Sequence, residues 1–333
     1  MRIAIHHRKD SFSEQWIEYC ENNNIEYKVV NAYDSDIIQQ LKNYDIFMWH
    51  YHHADYRDIQ ISKSILFSLE QAGIKVFPDF KTSWYFDDKV AQKYLLESVN
   101  APLVPSFVFY DKKQAINWAQ NVNYPKVFKL KGGAGASNVK LANNKKQALK
   151  LINKSFGKGF KQNDYWYEFK DRWGKYQSNK MRFFQTLSPL FRIIKPRIFD
   201  KLSNNEKGYV YFQEFIPNNN SDIRVIVIGQ KKAFGIKRMV RENDFRASGS
   251  GNIVYDIEKI PMDCVVLSFE IANRLESQCI AFDFVFDNDK PLIVEVSYGF
   301  APKAYDKCEG YWDSDLVFHK EKITPQFWMM DLF

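Results

Sequence analysis

The stretch AFDFVFDNDKPLIVEVSYG, residues 281–299, carries two runs of alternating apolar residues on either side of Asn288-Asp289. A short Asn/Asp turn between two such runs signals a β-hairpin. Asp283 and Glu295 stand on the two strands, each embedded in apolar neighbours where an unpaired carboxylate is costly. A hairpin lets their carboxylates face one another across the ladder. Two like charges held that close call for a cation, and hard oxygen ligands suit Mg2+, which also takes phosphate oxygens. The alternative is an exposed pair of strand acids.

A second element with phosphate chemistry lies upstream. The segment VFKLKGGAGASNVKL, residues 127–141, sets Gly132, Gly133 and Gly135 behind Lys129 and Lys131, between two strand-like runs. Such glycines can form a plain hairpin turn. They can equally form a lid whose main-chain N–H groups close over phosphates, because glycine has no Cβ in the way.

Around these two elements the chain falls into three regions without internal repeats. RIAIHH, IEYKVVNA, DIFMWHYHH and IKVFP read as strands, alternating with helices at SFSEQWIEYCENNN, DIIQQLKNY and ISKSILFSLEQAG. This alternation predicts a small wound parallel sheet ending near Phe80. Ligands bind such sheets beyond the strand carboxyl ends, which places His6, His7, His50, His52 and His53 at a binding edge. Alternate strand residues point to opposite faces, so the last three converge on a metal only if the strand stops; otherwise they are loop or hydrogen-bonding histidines. Beyond residue 83 the sequence predicts a helix opening at Asp87 and Asp88, a strand VPSFVFY and a helix before Tyr124-Pro125. Then come a strand YVYFQEFIP, a hairpin turning at Gly229-Gln230, the glycine-serine stretch NDFRASGSGN and a helix near LSFEIANRLE.

At 333 residues, 45% hydrophobic and 26% charged, the chain has the composition of a folded globular protein rather than a disordered one. No apolar run of eighteen residues occurs and MRIAIHHRKD lacks a secretory apolar core, so the expected location is the cytoplasm. Cys20, Cys264, Cys279 and Cys308 form no CxxC pair, which argues for reduced structural thiols. Between Lys154 and Lys207, nine lysines and four arginines face five acidic residues, an excess of eight against a net charge of +7 for the chain. The same segment is rich in aromatic residues. It is either a polyanion, sugar or membrane face, or a helical insertion packed on its own aromatics with solvated lysines. No nucleic-acid motif accompanies the charge, so nucleic acid is not expected as a partner.

The ordered set DDKV, VFKLKGGAGAS, FQEFI, DIRVIVIG, IKRM, DFRASGSG and FDFVF…VEVSYG resembles the ATP-grasp superfamily, in particular its RimK-like carboxylate–amine ligase branch, over about residues 85–300. The resemblance implies an α/β (α+β) ATP-grasp fold with an N-terminal wound parallel-sheet domain at 1–82. A lid subdomain follows at 83–215 with the basic insertion at 154–207, then a catalytic subdomain at 216–333. It implies ATP and Mg2+ as cofactors, with Lys89 and Lys129 on the nucleotide phosphates under the loop of Gly132 and Gly133, while Lys131 has no firm counterpart. The backbone around Gln213, Glu214, Phe215 and Ile216 would hold adenine by hydrogen bonds, and Glu214 or Asp222 would take the ribose. Arg224 and Arg238 would line the acyl-phosphate region and Arg246 would stand beside the γ-phosphate, with Ser248 near a position usually held by asparagine. Asp283 and Glu295 match the magnesium carboxylates, and Ser297 replaces the usual asparagine of E-x-N, which loosens the expected second metal.

The implied activity transfers the γ-phosphate of ATP to a carboxylate and lets an amine displace it, with no nucleophilic side chain. The expected partners are a carboxylate, which a uronic-acid sugar or polysaccharide precursor would supply, and an amine. The 154–207 insertion is the candidate contact to a membrane or lipid-linked glycan, and a homodimer is the commonest assembly for such enzymes. A nucleotide-binding glycan or membrane module without turnover and an ATP-grasp kinase are the alternatives. The C-terminal stretch CEGYWDSDLVFHKEKITPQFWMMDLF resembles the ends of bacterial ATP-grasp proteins of polysaccharide synthesis. Its Tyr311, Trp312, Asp313 and His319 either shape an acceptor pocket or, with Trp328, dock the tail.

Overall fold

The structure, a computed structural model, describes residues 1–53, 55–133, 138–161, 165, 169, 172–173, 186, 188–189, 192, 204–241 and 244–333. Gly135 and most of the basic aromatic insertion lie outside the described residues. The chain divides into two compact units, one of residues 1–86, 94–103 and 216–333, the other of 87–93 and 104–215.

The first unit begins with the wound sheet. β1 (Ile3–His6), β2 (Tyr27–Val30), β3 (Ile46–Trp49) and β4 (Lys75–Phe77) pair in the order β2-β1-β3-β4, all parallel. α1 (Phe12–Asn22), α2 (Ile37–Leu41) and α3 (Tyr56–Gln71) make the crossovers. Both central strands, β1 and β3, are buried at every position, as expected where helices cover both faces of a parallel sheet. Two of the helix starts are capped by side chains: the Ser13 amide donates to Ser11 Oγ and the Arg57 amide to Asp55 Oδ1. A single turn, α4 (Phe80–Ser83), closes this part.

In the second unit, the opening residues of α5 (Lys89–Ser98) precede β5 (Ser106–Phe109), α6 (Lys112–Asn121), β6 (Lys126–Lys129), β7 (Lys140–Ala142), α7 (Lys145–Ser155) and β8 (Val210–Glu214). The strands pair antiparallel in the order β5-β8-β6-β7, and the glycine loop joins β6 to β7. Phe128, Val210 and Phe212 on one sheet face pack with Ala115 and Ala119 of α6 and Ala148 and Ile152 of α7. Small alanines let these helices lie close to the aromatic face.

The rest of the first unit is a seven-stranded sheet. β9 (Ser221–Ile228), β10 (Lys232–Met239), β11 (Ile253–Val254), β12 (Cys279–Asp287), β13 (Lys290–Ser297), β14 (Tyr311–Asp313) and β15 (Phe318–His319) follow the order β13-β12-β9-β10-β14-β15, with β11 also on β10. Both sequence-expected hairpin turns occur. Gly229-Gln230 and Asn288-Asp289 all have positive φ, the backbone twist that a tight hairpin of right-twisted strands requires. One face carries Ile226, Ile228, Phe234, Ile236, Cys279 and Ala281 into the same core as Trp16, Phe47, Trp49 and Phe77 of the wound sheet. The other face packs on α8 (Met262–Leu275).

The C-terminal stretch docks. β14 pairs with β10, and α9 (Pro325–Met330) lies against α1 with Trp328, Met329 and Met330 buried. Tyr311 and Trp312 are likewise buried, which favours docking over an exposed acceptor pocket. Gly310 sits where any side chain would collide: a Cβ there would lie 2.0 Å from the His319 carbonyl oxygen. Gly310→Ala must therefore displace β15 from β14, and we expect a loss of about 2 kcal/mol or more, read as a lower thermal midpoint by tryptophan fluorescence.

Candidate functional site

In the second unit, β6 and β8 bring together most of the residues expected at a nucleotide. Lys129 and Gln213 are 4% and 2% exposed, and Lys129 Nζ donates to Gln213 Oε1 at 2.6 Å. Lys89, also buried, donates from Nζ to the Gly133 carbonyl at 2.9 Å. The Gly133 amide donates to Asp87 Oδ1 at 2.9 Å, and Lys131 pairs with Asp88 at 2.9 Å. Asp88 also caps α5 by accepting from the Val90 and Ala91 amides. The start of the glycine loop is thus fastened to the start of α5, and Gly133, at φ 110°, holds a backbone conformation that side chains disfavour. Glu214 points to the opposite sheet face from Gln213. There it meets Lys126, whose Nζ lies 2.5 and 2.6 Å from its two carboxylate oxygens. Lys126 was missed at the sequence level, although its place three residues before Lys129 on a buried strand was the available signal. Phe215 and Ile216 follow directly, half-buried.

In the first unit, the charged residues fall on one face of the seven-stranded sheet. Asp283 pairs in register with Glu295 on one side and with Arg224 on the other, while Asp222 pairs with Arg238. Arg238 grips Asp222 through two hydrogen bonds of 2.7 Å, from Nε and one terminal nitrogen, and approaches Asp283 at 2.9 Å. Arg224 Nε lies 3.5 Å from the same Asp283 oxygen. Burial works against the Arg238 charge, but the Asp283 and Asp222 carboxylates outweigh it and hold its pKa above the usual arginine value. Burial raises the Asp222 pKa although Arg238 opposes it. The Tyr305 hydroxyl, buried beside both arginines, is pushed up to about 12 by desolvation.

The register between β12 and β13 contains an irregular step. From Asp287 opposite Lys290 it runs regularly to Phe284 opposite Ile293, and then Asp283 meets Glu295 instead of Val294. That β-bulge puts the two carboxylates on one face. Ser297, two residues on, donates its hydroxyl to the Gly299 carbonyl at 2.9 Å and accepts from the Gly299 amide at 3.2 Å.

The glycine-serine stretch is organised by Arg241, which the sequence did not single out. Its guanidinium donates twice to the Ser248 carbonyl, at 3.1 and 2.6 Å. Arg246 donates from Nε to both oxygens of Asp244 at 2.9 Å, and burial brings its pKa down to about 10.

Among the described residues no group of three or more His, Cys, Asp or Glu side chains is placed to hold a metal. Magnesium characteristically takes one or two carboxylates and completes its shell with water and phosphate oxygens, so the Asp283–Glu295 pair fits it. His50 and His6 are tied into the core of the wound sheet. His50 stacks on Phe12 at 3.6 Å and accepts from the Phe12 amide, while His6 accepts from the Ala32 amide. At the same sheet edge the buried Asp58 carboxylate accepts from the Tyr33 hydroxyl, the His52 amide and Arg8, one group from each of the loops after β2, β3 and β1. No helix among the described residues is long and apolar enough to cross a membrane.

Residues 197–310 match the family described as the RimK-like ATP-grasp domain. The chain is 24% identical over 284 residues to the alpha-aminoadipate–LysW ligase LysX of Saccharolobus solfataricus, covering 83% of this chain and 84% of that protein. Among solved structures, D-alanine–D-alanine ligase from Bacillus anthracis complexed with ATP superposes with a TM-score of 0.55 at 13% identity, over 92% of this chain and 91% of that one. The RimK domain ATP-grasp protein from Sphaerobacter thermophilus gives 0.53 at 16% identity, over 91% and 94%. The ATP-grasp fold expected from the sequence is therefore the fold observed, with its parallel sheet at the N-terminus and antiparallel sheets after it.

Burial draws the His6 pKa down to about 4 and that of His52 to about 3, so both are neutral in the folded chain. Unfolding frees them to protonate near 6.5. Their contribution to stability is complete above that pH and is lost as pH falls through 6.5 toward 4. His6→Gln should flatten the decline of the thermal midpoint between pH 7 and pH 5, measured by scanning calorimetry against the unsubstituted protein.

Proposed function

We propose that this protein is an ATP- and Mg2+-dependent carboxylate–amine ligase that forms a C–N bond through an acyl phosphate and releases ADP. The observation that carries this reading is the carboxylate pair Asp283 and Glu295, set opposite one another by the bulge with Arg224 and Arg238 on the same sheet face.

The first unit is assigned the metal and the reacting oxygens. Asp283 and Glu295 would hold Mg2+, with Ser297 offering an oxygen directly or through water. The metal would supply charge neutralisation at the transferred phosphoryl group. Arg224 and Arg238 would line the anionic oxygens of the phosphoryl and acyl-phosphate groups and neutralise their charge, and Arg246 would stand by the γ-phosphate with Ser248 near it. Asp222 holds the Arg238 fork in one plane. The second unit is assigned the nucleotide. Lys89 and Lys129 would contact its phosphates under Gly132 and Gly133, with Gln213 and Glu214 at the base and ribose; Phe215 and Ile216 continue that segment. Positioning and charge neutralisation then suffice, and no side chain acts as a nucleophile.

The family match and the relative LysX support a small carboxylate and an amine as substrates. A uronic acid of a cell-surface polysaccharide precursor is our proposal for the carboxylate, with the basic aromatic segment 154–207 as its receiving surface or its contact with a membrane. The three-part division at 82/83 and 215/216 and a homodimeric assembly belong to the same proposal.

The test is ADP release from ATP and Mg2+ with pooled sugar acids and amino acids as carboxylates and with amines added or withheld. We expect release that needs both substrates and falls at least 100-fold in Lys129→Ala and in Asp283→Asn. Release that needs no amine would identify a kinase. Tight Mg-ATP binding with no turnover in any pool would favour a nucleotide-binding module, the reading that the Ser297–Gly299 hydrogen bonds would then support.

A further inference from the structure

The carboxyl edge of the wound sheet carries an ion pair that the phosphoryl chemistry does not use. Asp58, in the first turn of α3, has a side chain 1% exposed, and its carboxylate accepts from the Tyr33 hydroxyl at 2.5 Å, the His52 amide at 2.6 Å and Arg8 at 3.1 Å. Burial raises its pKa against the pull of these donors, so the charge is held there at a cost. An apolar residue of similar volume would hold the three loops at least as firmly. What the carboxylate adds is direction. Of its three donors Arg8 carries the charge, and the Arg8 side chain, 31% exposed, lies between Asp58 and solvent.

Arg8 is set in place from both ends. Its amide donates to Oγ of the fully buried Ser13 at 3.1 Å, and that hydroxyl donates to the Arg8 carbonyl at 3.2 Å. Among the described residues its guanidinium meets Asp58 through one of five N–H donors, which leaves donors for a second anion. The Phe12 and Ser13 amides at the start of α1 are taken by His50 and Ser11, so they do not serve a phosphate dianion, whereas an open guanidinium fork matches the two oxygens of a carboxylate. The edge also adjoins the strand of Glu295 and Ser297. Just beyond Ser297 the Tyr298 hydroxyl donates to the Tyr51 carbonyl at 2.6 Å, and Phe300 packs on Phe12 with ring centres 4.7 Å apart. Desolvation dominates at the Tyr298 hydroxyl, yet the charges of Asp58 and Arg8 both reach it.

We propose that Arg8, held by Asp58 at this open edge, binds a substrate carboxylate other than the one that is phosphorylated, carried either by the amine or by a second group on the acid. The inference deepens the ligase reading and rests on it for the molecule to which that carboxylate belongs.

The test reads binding first. The full chain labelled with 15N-arginine is titrated with sodium succinate, with sodium phosphate and, at matched ionic strength, with sodium chloride, following the Arg8 Nε–H resonance, assigned by its loss in Arg8→Lys. We expect a saturable shift with succinate that chloride does not reproduce. In ADP release, Arg8→Gln should raise the KM of the acid or of the amine about 10-fold while the KM for ATP holds, and Arg8→Lys should raise the same KM by less. A rise for the amine identifies an amino acid, and a rise for the acid a dicarboxylate. Should Arg8→Gln, which leaves Asp58 unpaired, fail to fold, Arg8→Lys keeps the charge and carries the same expectation. A resonance that follows chloride as closely as succinate, or that phosphate alone saturates, would overturn the proposal. So would KM values unchanged in both variants, with the ligase reading left standing. A saturable succinate shift without ADP release from any pool would overturn the ligase reading and leave the carboxylate subsite in place.

Discussion

The irregular step at Val294 decides which side chains meet on the charged face of the seven-stranded sheet. Counted back from its Asn288-Asp289 turn, a regular hairpin would set Asp283 opposite Val294 and turn Glu295 to the other face, toward α8. A carboxylate there would be buried among apolar side chains, at a cost of several kcal/mol unless it became protonated. The extra residue avoids this and restores the strand parity on the side where Arg224 and Arg238 already lie. Bulges are found beside active sites because they re-aim one side chain without disturbing the rest of a ladder.

The same sheet face does two jobs along its length. Toward one end of the strands, Ile226, Ile228, Phe234 and Ala281 enter the core shared with the wound sheet. A few residues away, Asp222, Arg224, Arg238, Asp283 and Glu295 replace them. Three carboxylates against two guanidiniums leave an excess of negative charge, which a divalent cation would offset. Desolvating such a cluster is expensive, and a hydrophobic patch of the same volume would be at least as stable. Its geometry points to chemistry rather than to stability: Asp222 takes both prongs of Arg238 and fixes the plane of a group that in free solution rotates.

Much of this was legible in the sequence, and the parts that were not share a cause. The Asn288-Asp289 and Gly229-Gln230 turns were readable because hairpin turns demand positive φ, which few residues accept. The wound sheet was readable from the buried apolar runs of its strands. The Asp283–Glu295 pair was readable as two acids on adjacent strands, but the bulge was not, because nothing local in PLIVEVS marks Val294 as the extra residue. Lys126 was passed over because its partner Glu214 is 88 residues away. The pairing of β14 with β10 and the hydrogen bonds of Ser106 and Tyr211 escaped for the same reason. Each depends on which distant strand lies alongside, and local propensity carries no information about that. The histidines show the converse. Three within four residues could on composition be either metal ligands or, as expected, loop or hydrogen-bonding residues, and burial, aromatic stacking and the Phe12 amide account for His50.

The sheet of the second unit solves the problem of mixing polar and apolar groups in a different way. In the first unit one face changes character along its strands, whereas in the second, apart from the Lys126–Glu214 ion pair at one end of the apolar face, the two faces divide the work. Phe128, Val210 and Phe212 point toward α6 and α7, and the alternate residues Ser106, Tyr211, Gln213 and Lys129 form a hydrogen-bonded row. Strand periodicity makes this division strict, since moving any of the three strands by one residue would carry its polar groups into the apolar layer and its apolar groups out of it. The packing of phenylalanines on alanine-lined helices therefore does more than stabilise the unit. By fixing the strand registers it also fixes which polar atoms stand opposite one another. The direction of the hydrogen bonds in the row follows from that placement and from the fact that an ammonium can only donate.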